Sequence, residues 1–302
     1  MNSTTEKSMS NSRGHIEMVA AMLLMGTVGY FVIESKMDPH SVVFFRCLFG
    51  ATFLAIYCSI FGLFKNTGIG KHNIVPLLLS GVFLVCNWMM LFASFESASI
   101  STSTAVYHVQ PFFFALIWAA AYRDPIPLTK IAWMIIAFIG VAMVSDIHLS
   151  SLSSDHLPGI LLALSAAILW AISAVFVKQI KDVRPHLITL VQLTIGVFML
   201  LPFTNLTMLN TTSYLQWQHL VTLGFVHTCL VYVFMYSAYQ KLSTPTIAVL
   251  TFIYPAVAIL VDYVFYGKAL SVIQFLGVSL IMLSSFGASQ NIVLPFLSWK
   301  KA

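Results

Sequence analysis

The sequence predicts an all-α polytopic membrane protein, with ten transmembrane helices in two inverted five-helix repeats. Three observations predict it. Of 302 residues, 59% are hydrophobic and only 8% are charged, with a mean hydropathy of +0.90. A soluble domain carries about 25% charged residues, and so few charges would leave the surface one continuous apolar patch. The apolar residues fall into ten runs of about 20 residues, the length that crosses a bilayer core of about 30 Å. Finally, the two halves share a spaced pattern, and an odd number of spans per half turns one copy upside down.

Taken in order, the runs lie at roughly 16–33, 41–61, 74–95, 99–121 and 128–145, then 157–179, 186–202, 216–240, 244–266 and 270–289. They are apolar on every side, which excludes the alternating strands of a membrane barrel. The first run ends without an A-x-A cleavage site, so it is expected to be a start-transfer helix. With the amino terminus in the cytoplasm, twelve Lys and Arg residues, from Lys7 and Arg13 to Lys300 and Lys301, face inside, and only Lys36 and Lys268 face outside. This bias predicts that both termini are cytoplasmic. The chain then divides into a cytoplasmic tail over 1–15, a first repeat over 16–146, an outer loop over 147–156, a second repeat over 157–289 and a cytoplasmic tail over 290–302.

The repeat rests on two registered matches. Pro39, His40, Arg46 and Gly50 have the spacing of Pro185, His186, Gln192 and Gly196, a P-H-x5-[RQ]-x3-G pattern in both halves. At nearly the same offset, Ser99, Thr102, Pro111, Leu116 and Tyr122 fall opposite Ser243, Thr246, Pro255, Leu260 and Tyr266. Five spans per unit make the second unit enter from the opposite face. Inverted repeats of this kind build secondary transporters, with substrate held near the midplane between the halves.

These residues also carry a resemblance. Arg46 in a second helix, Pro111 and Pro255 in mid-helix, Gly140 and Gly277 in a fifth helix and Trp170 in a first helix stand where the repeat of the drug/metabolite transporter superfamily places them. The chain resembles the EamA-type ten-helix exporters of that superfamily over essentially its whole length. It departs at Gln192, which replaces the second Arg, and at Lys268, which stands where the first half has the acidic Asp124. The resemblance implies a small organic substrate and tilts the direction toward export.

Strongly polar groups inside a bilayer face a bundle interior or an aqueous cavity, so each marks a candidate site. On the first helix Thr27, Tyr30 and Glu34 recur at i, i+3 and i+7, one face climbing toward the outer mouth. Asn87 and Trp88 stand just outward of the centre of the third. Ser101, Thr104 and His108 form a similar stripe on the fourth, ahead of Pro111, which frees a carbonyl to line a cavity. The second half adds Trp170, His227, Tyr232 with Tyr236, and Tyr254 beside Pro255. Tyr30, Asn87, Trp88, His108, Trp170, His227, Tyr232 and Tyr254 form the expected substrate-binding set. Glu34, Arg46 and Asp262 are the expected gating or proton-coupling groups, with Arg46 near the outer surface and paired with Glu34 or Asp262 in preference to substrate. Plainer readings apply elsewhere. Trp118, Tyr263 and Tyr266 read as packing or interfacial-belt aromatics, and Gly26, Gly50, Gly81, Gly196 and Gly277 as close helix packing.

Other functions lack their residues. Cys47, Cys58, Cys86 and Cys229 all lie in apolar runs and read as small hydrophobes, with no disulfide framework. Asp146, His148, Asp155 and His156 share a Ser-rich loop that solvates rather than holds a metal. The +5 charge is not clustered with aromatics, so it speaks for membrane orientation and against nucleic acid. H-E-x-x-H, G-x-S-x-G, paired aspartates and G-x-x-x-x-G-K-[ST] do not occur, so neither an enzyme nor a nucleotide-driven pump is expected. No cofactor, metal or obligatory protein partner is expected. The expected partners are a small-molecule substrate, the lipid bilayer and protons, in a bacterial cytoplasmic membrane. Without a lysine or arginine near the midplane, a polyanion is disfavoured, and amino acids or related amphiphiles lead. An uptake permease for an organic cation or a vitamin-like metabolite, a lipid flippase and an intramembrane enzyme stay open as alternatives.

Overall fold

Among the described residues, ten apolar helical segments organise the chain. Seven are at least 18 residues long, and three shorter ones run over Gln110–Tyr122, Leu128–Met143 and Val272–Ala288. The computed structural model describes residues 3–97, 103, 106–144, 157–204, 212–267 and 271–293. The outer loop with Asp146, His148, Asp155 and His156, the stripe residues Ser101 and Thr104, and Lys268 lie outside these residues, as do the side chains of Glu96 and Asp262.

The first span is α1 (Ser3–Gly26) followed by α2 (Val28–Ser35); α3 (Pro39–Ile60), α4 (Lys71–Ser97), α5 (Gln110–Tyr122) and α6 (Leu128–Val144) complete the first half. In the second half come α7 (Leu157–Gln179), α8 (Pro185–Leu200), α9 (Tyr214–Thr222), a π-helical segment (Leu223–Leu230), α10 (Val231–Lys241), α11 (Thr244–Thr251), α12 (Ile253–Tyr266) and α13 (Val272–Ser289).

Local chemistry explains where these helices start and break. Asp38 accepts from the Ser41 amide at 3.0 Å, and Pro39 opens α3 where its missing N–H is not needed. Ser213 with Gln216 and Ser271 with Gln274 form capping boxes on α9 and α13. Proline removes the donor for the carbonyl four residues earlier. The α11/α12 break at Phe252 precedes Pro255, and the turn at His108 and Val109 precedes Pro111. Both helices then end on a left-handed residue, Arg123 and Gly267.

The packing obeys the repeat. Exchanging each span for its counterpart five spans away maps α4 on α7 into the eighth span on the first, α3 on the π segment into α8 on α4, and α5 on α7 into α12 on α1. The α3/α8, α6/α13 and α5/α11 contacts map onto themselves. A pattern unchanged by this exchange is what a two-fold relation between five-span units requires, and the odd span count inverts them. The helices approach closely at small residues. A Cβ on Gly50 would lie 3.1 Å from the Gly224 carbonyl, one on Gly196 2.7 Å from Cys47 Sγ, and one on Gly26 2.4 Å from Val257 Cβ. Phe198, Val264, Val272, Phe275 and Phe286 point outward, the apolar exterior a bilayer wets.

Candidate functional site

A buried run of aromatic and polar side chains threads the seam between the repeats. Arg46, only 4% exposed on α3, holds its guanidinium 4.7 Å from the centre of the Trp88 ring on α4 and donates from Nε to Thr228 Oγ1 at 3.0 Å. From Trp88 the rings follow one another edge to face, tilted or stacked. Tyr232 lies 5.9 Å from Trp88, Tyr236 5.5 Å from Tyr232, Tyr239 5.8 Å from Tyr236, Phe114 5.8 Å from Tyr239 and Trp170 6.1 Å from Phe114. Beside this string His108 stacks on Tyr254 at 4.7 Å. Asn87, fully buried, donates from Nδ2 to the Ala166 carbonyl at 2.8 Å and to the Tyr107 hydroxyl at 3.1 Å. It ties α4 to α7 and holds Tyr107 in place.

The π segment explains how two of these groups reach the seam. Widening the turn to i→i+5 lets Thr228 donate to the Leu223 carbonyl at 2.7 Å and sets His227 beside it. Thr228 thereby faces Arg46, while His227 Nε2 lies 2.7 Å from Thr27 Oγ1 at the break between α1 and α2. His227 also meets Phe31 at 4.7 Å, and Phe31 meets Tyr30 at 5.3 Å. Tyr30 is therefore not at the centre. It belongs to a cluster at the predicted outer end with His219, Phe265 and Tyr266, where Tyr266 donates to Glu34 at 3.4 Å. A pocket of about 570 Å³ opens beside it, lined by Phe31, Tyr214, Trp217 and His219 among others.

Of the eight expected substrate-binding residues, Trp88, Tyr232 and Trp170 lie on the string, His108 and Tyr254 form a pair beside it, Asn87 acts on Tyr107, and His227 meets Thr27 and Phe31 toward the outer cluster that holds Tyr30. The structure moves Arg46 the other way. Instead of pairing with Glu34 near the surface, Arg46 turns inward onto Trp88 and Thr228, so the seam does contain a cation. Among the described residues no carboxylate lies within 4 Å of it. Asp262 sits on α12, which packs on α1, α2, α6 and α13, whereas α3 packs on α8, α9, α4 and the π segment.

Several groups were missed. Tyr107, Thr228, Gln110 and Tyr239 all face the buried interior; the Gln110 Oε1 and the Tyr239 hydroxyl have no hydrogen-bond partner among the described residues. Tyrosines and a glutamine next to an expected stripe were the available signal. The π geometry has none beyond Gly224. Lys130 and Lys178, two of the twelve cations expected to face inside, are buried. Lys178 donates to the carbonyls of Tyr239 and Leu242, Lys130 to Thr246 Oγ1 at 3.2 Å and to the Ala288 carbonyl. A cation at a helix carboxyl end satisfies orphan carbonyls and opposes the dipole. The predicted inner end is further held by Lys241, which bonds Glu17 at 2.5 Å.

A ten-helix bundle of two inverted units meeting along a buried polar and aromatic seam is the architecture of a membrane transporter. The chain belongs to the EamA-like transporter family, which it matches over residues 12–146 and again over 157–290. It is 33% identical over 275 residues to the uncharacterized transporter YxxF of Bacillus subtilis, covering 91% of this chain and 88% of that one. It is 23% identical over 269 residues to an uncharacterized transporter of Archaeoglobus fulgidus, covering 89% and 93%. A solved crystal structure shares the fold at a TM-score of 0.80 and 14% identity, over 93% of this chain and 96% of that one.

Proposed function

We propose that this protein is a secondary active transporter that exports a small organic metabolite, an amino acid or a related amphiphile, by alternating access. The observation that carries the reading is the seam itself. Trp88, Tyr232 and the half-buried Tyr254 offer aromatic faces, and the buried His108, Tyr239 and Gln110 offer polar tips where the two repeats meet. Such a lining suits a partly flat, amphiphilic molecule, held by stacking and a few hydrogen bonds. Asn87 and His227 act through the residues they hold, Tyr107 and Thr27.

Rocking one unit against the other exposes the seam alternately to each side. Tyr30, Glu34 and Tyr266 close the outer mouth, while the Glu17 to Lys241 bond spans the first and eighth helices at the inner end. Glu34 carries the coupling proton, and Asp262 is the second acidic candidate on the outer half. The membrane is the bacterial cytoplasmic membrane with both termini inside, and the division near 147–156 separates the two units. The test is transport by purified protein in liposomes across a panel of labelled metabolites, with and without a pH gradient. Export-direction movement of an amino acid or related amphiphile, accelerated by the gradient and lost in Trp88→Ala, is the expected result. Movement of none of them refutes the assignment.

A further inference from the structure

The same helix crossing is built twice, with a neutral residue in one half and a charged one in the other. In the second half Gln192 on α8 donates from Nε2 to Ser80 Oγ on α4 at 2.8 Å and accepts from the Tyr236 hydroxyl on α10 at 2.5 Å. In the first half Arg46 on α3 donates to Thr228 Oγ1 and lies over Trp88. Arg46 and Gln192 are repeat counterparts, and so in packing are α4 and the eighth span. Each side chain links a hydroxyl on one of these spans to an aromatic ring on the other. An amide suffices for that link, as Gln192 demonstrates, so the charge at Arg46 is surplus to holding the helices together.

A surplus charge inside a bilayer is costly. The guanidinium offers five donors, of which the described structure occupies one, and no described carboxylate approaches within 4 Å. Fork geometry and an unbalanced positive charge fit one small carboxylate, bound bidentately. One arginine balances one negative charge, so a dianionic phosphate would carry its second charge into the seam uncompensated. We propose that Arg46 is the subsite for a substrate carboxylate, with Trp88 and Tyr232 receiving the apolar part. The transported molecule is thereby a monocarboxylate or a zwitterion carrying that group, and organic cations without one are not substrates. This inference rests on the transport reading above and sharpens it to the charge of the substrate.

The probes are 3-phenylpropionate, its amide, phenethylamine and phenyl phosphate, tested by thermal stabilisation of purified protein and by competition for transport in liposomes. The carboxylate is expected to bind at least ten-fold more tightly than the amide, the scale of losing one charge-assisted hydrogen bond. Arg46→Gln, which copies the protein's own Gln192, is expected to keep the unliganded melting temperature and to lose the preference for carboxylate over amide. Arg46→Lys is expected to keep part of that preference, since it retains charge without the fork. A large loss of unliganded stability in Arg46→Gln would make the charge structural and overturn the proposal. So would equal binding of amide and carboxylate by the unaltered protein, or tighter binding of phenyl phosphate. If the amine or the amide binds, depends on Trp88 and ignores Arg46→Gln, the aromatic seam stands and the carboxylate subsite falls; if no probe binds, both fall.

Discussion

Cutting the Gln192 bridge should strand a single phenol, and a second cut should repair most of the damage. Gln192 is 1% exposed and joins Ser80 Oγ at 2.8 Å to the Tyr236 hydroxyl at 2.5 Å. Ser80 also donates to the Leu77 carbonyl at 2.8 Å, so Gln192→Leu leaves Ser80 with a partner and Tyr236 without one. An orphaned buried hydroxyl costs about 1–3 kcal/mol, while measured couplings between membrane helices average about 0.6 kcal/mol. We expect Gln192→Leu to destabilise by about 1–2 kcal/mol, between those scales. Tyr236→Phe alone should cost a similar amount, by removing the bond to Oε1. The double variant should cost less than either single one, because replacing both partners of a satisfied pair by apolar groups of matching shape can be nearly neutral. The assay is reversible unfolding of the four proteins in mixed detergent micelles, read as a double-mutant cycle. Costs that simply add to within about 0.3 kcal/mol would show that the two groups do not touch, and would remove the symmetry argument built on Gln192.

Gly224→Ala should be more damaging than an ordinary glycine replacement in a helix. Its Cβ would come within 2.4 Å of Phe49 Cβ and 3.0 Å of the Gly50 nitrogen, so overpacking of about 1–3 kcal/mol is expected in the same unfolding assay, and a neutral outcome would contradict the close crossing. Glu34→Gln removes the only carboxylate on α2, where it meets Tyr266. Liposome transport by this variant should lose its acceleration by a pH gradient, and an unchanged rate and pH profile would assign Glu34 a packing role. In a cysteine-free background, a single cysteine at Thr67 should be shielded from an impermeant thiol reagent added outside intact cells, whereas one at Ser153 should react; the reverse labelling would turn the topology over.

The helices were legible because a bilayer leaves few alternatives. Runs of about 20 apolar residues must satisfy their backbone internally, so they read as spans wherever Pro, Gly and charge bound them. The break before Pro111 and the tight approach at Gly50 and Gly196 were legible too, since each follows from what one residue lacks, a donor or a Cβ. Asn87, Trp88 and His108 stood out because polar groups there need an interior partner.

What the sequence determined, then, was composition, span number, the duplication and the list of groups too polar for lipid. Tertiary structure alone decided which of those groups share a space. Arg46 and Glu34 both stand near helix ends expected to lie outside, yet Arg46 turns inward to Trp88 and Thr228 while Glu34 stays with Tyr266. Depth along a helix is counted in residues, but the direction of a long flexible side chain depends on which neighbouring span presents a hydroxyl or a ring. The π segment that presents Thr228 is a choice of backbone register stabilised by packing of Gly224 on Gly50, and no local residue pattern encodes it. Partnership across an interface is a property of two helices at once, and it exists only when the repeats have closed on each other.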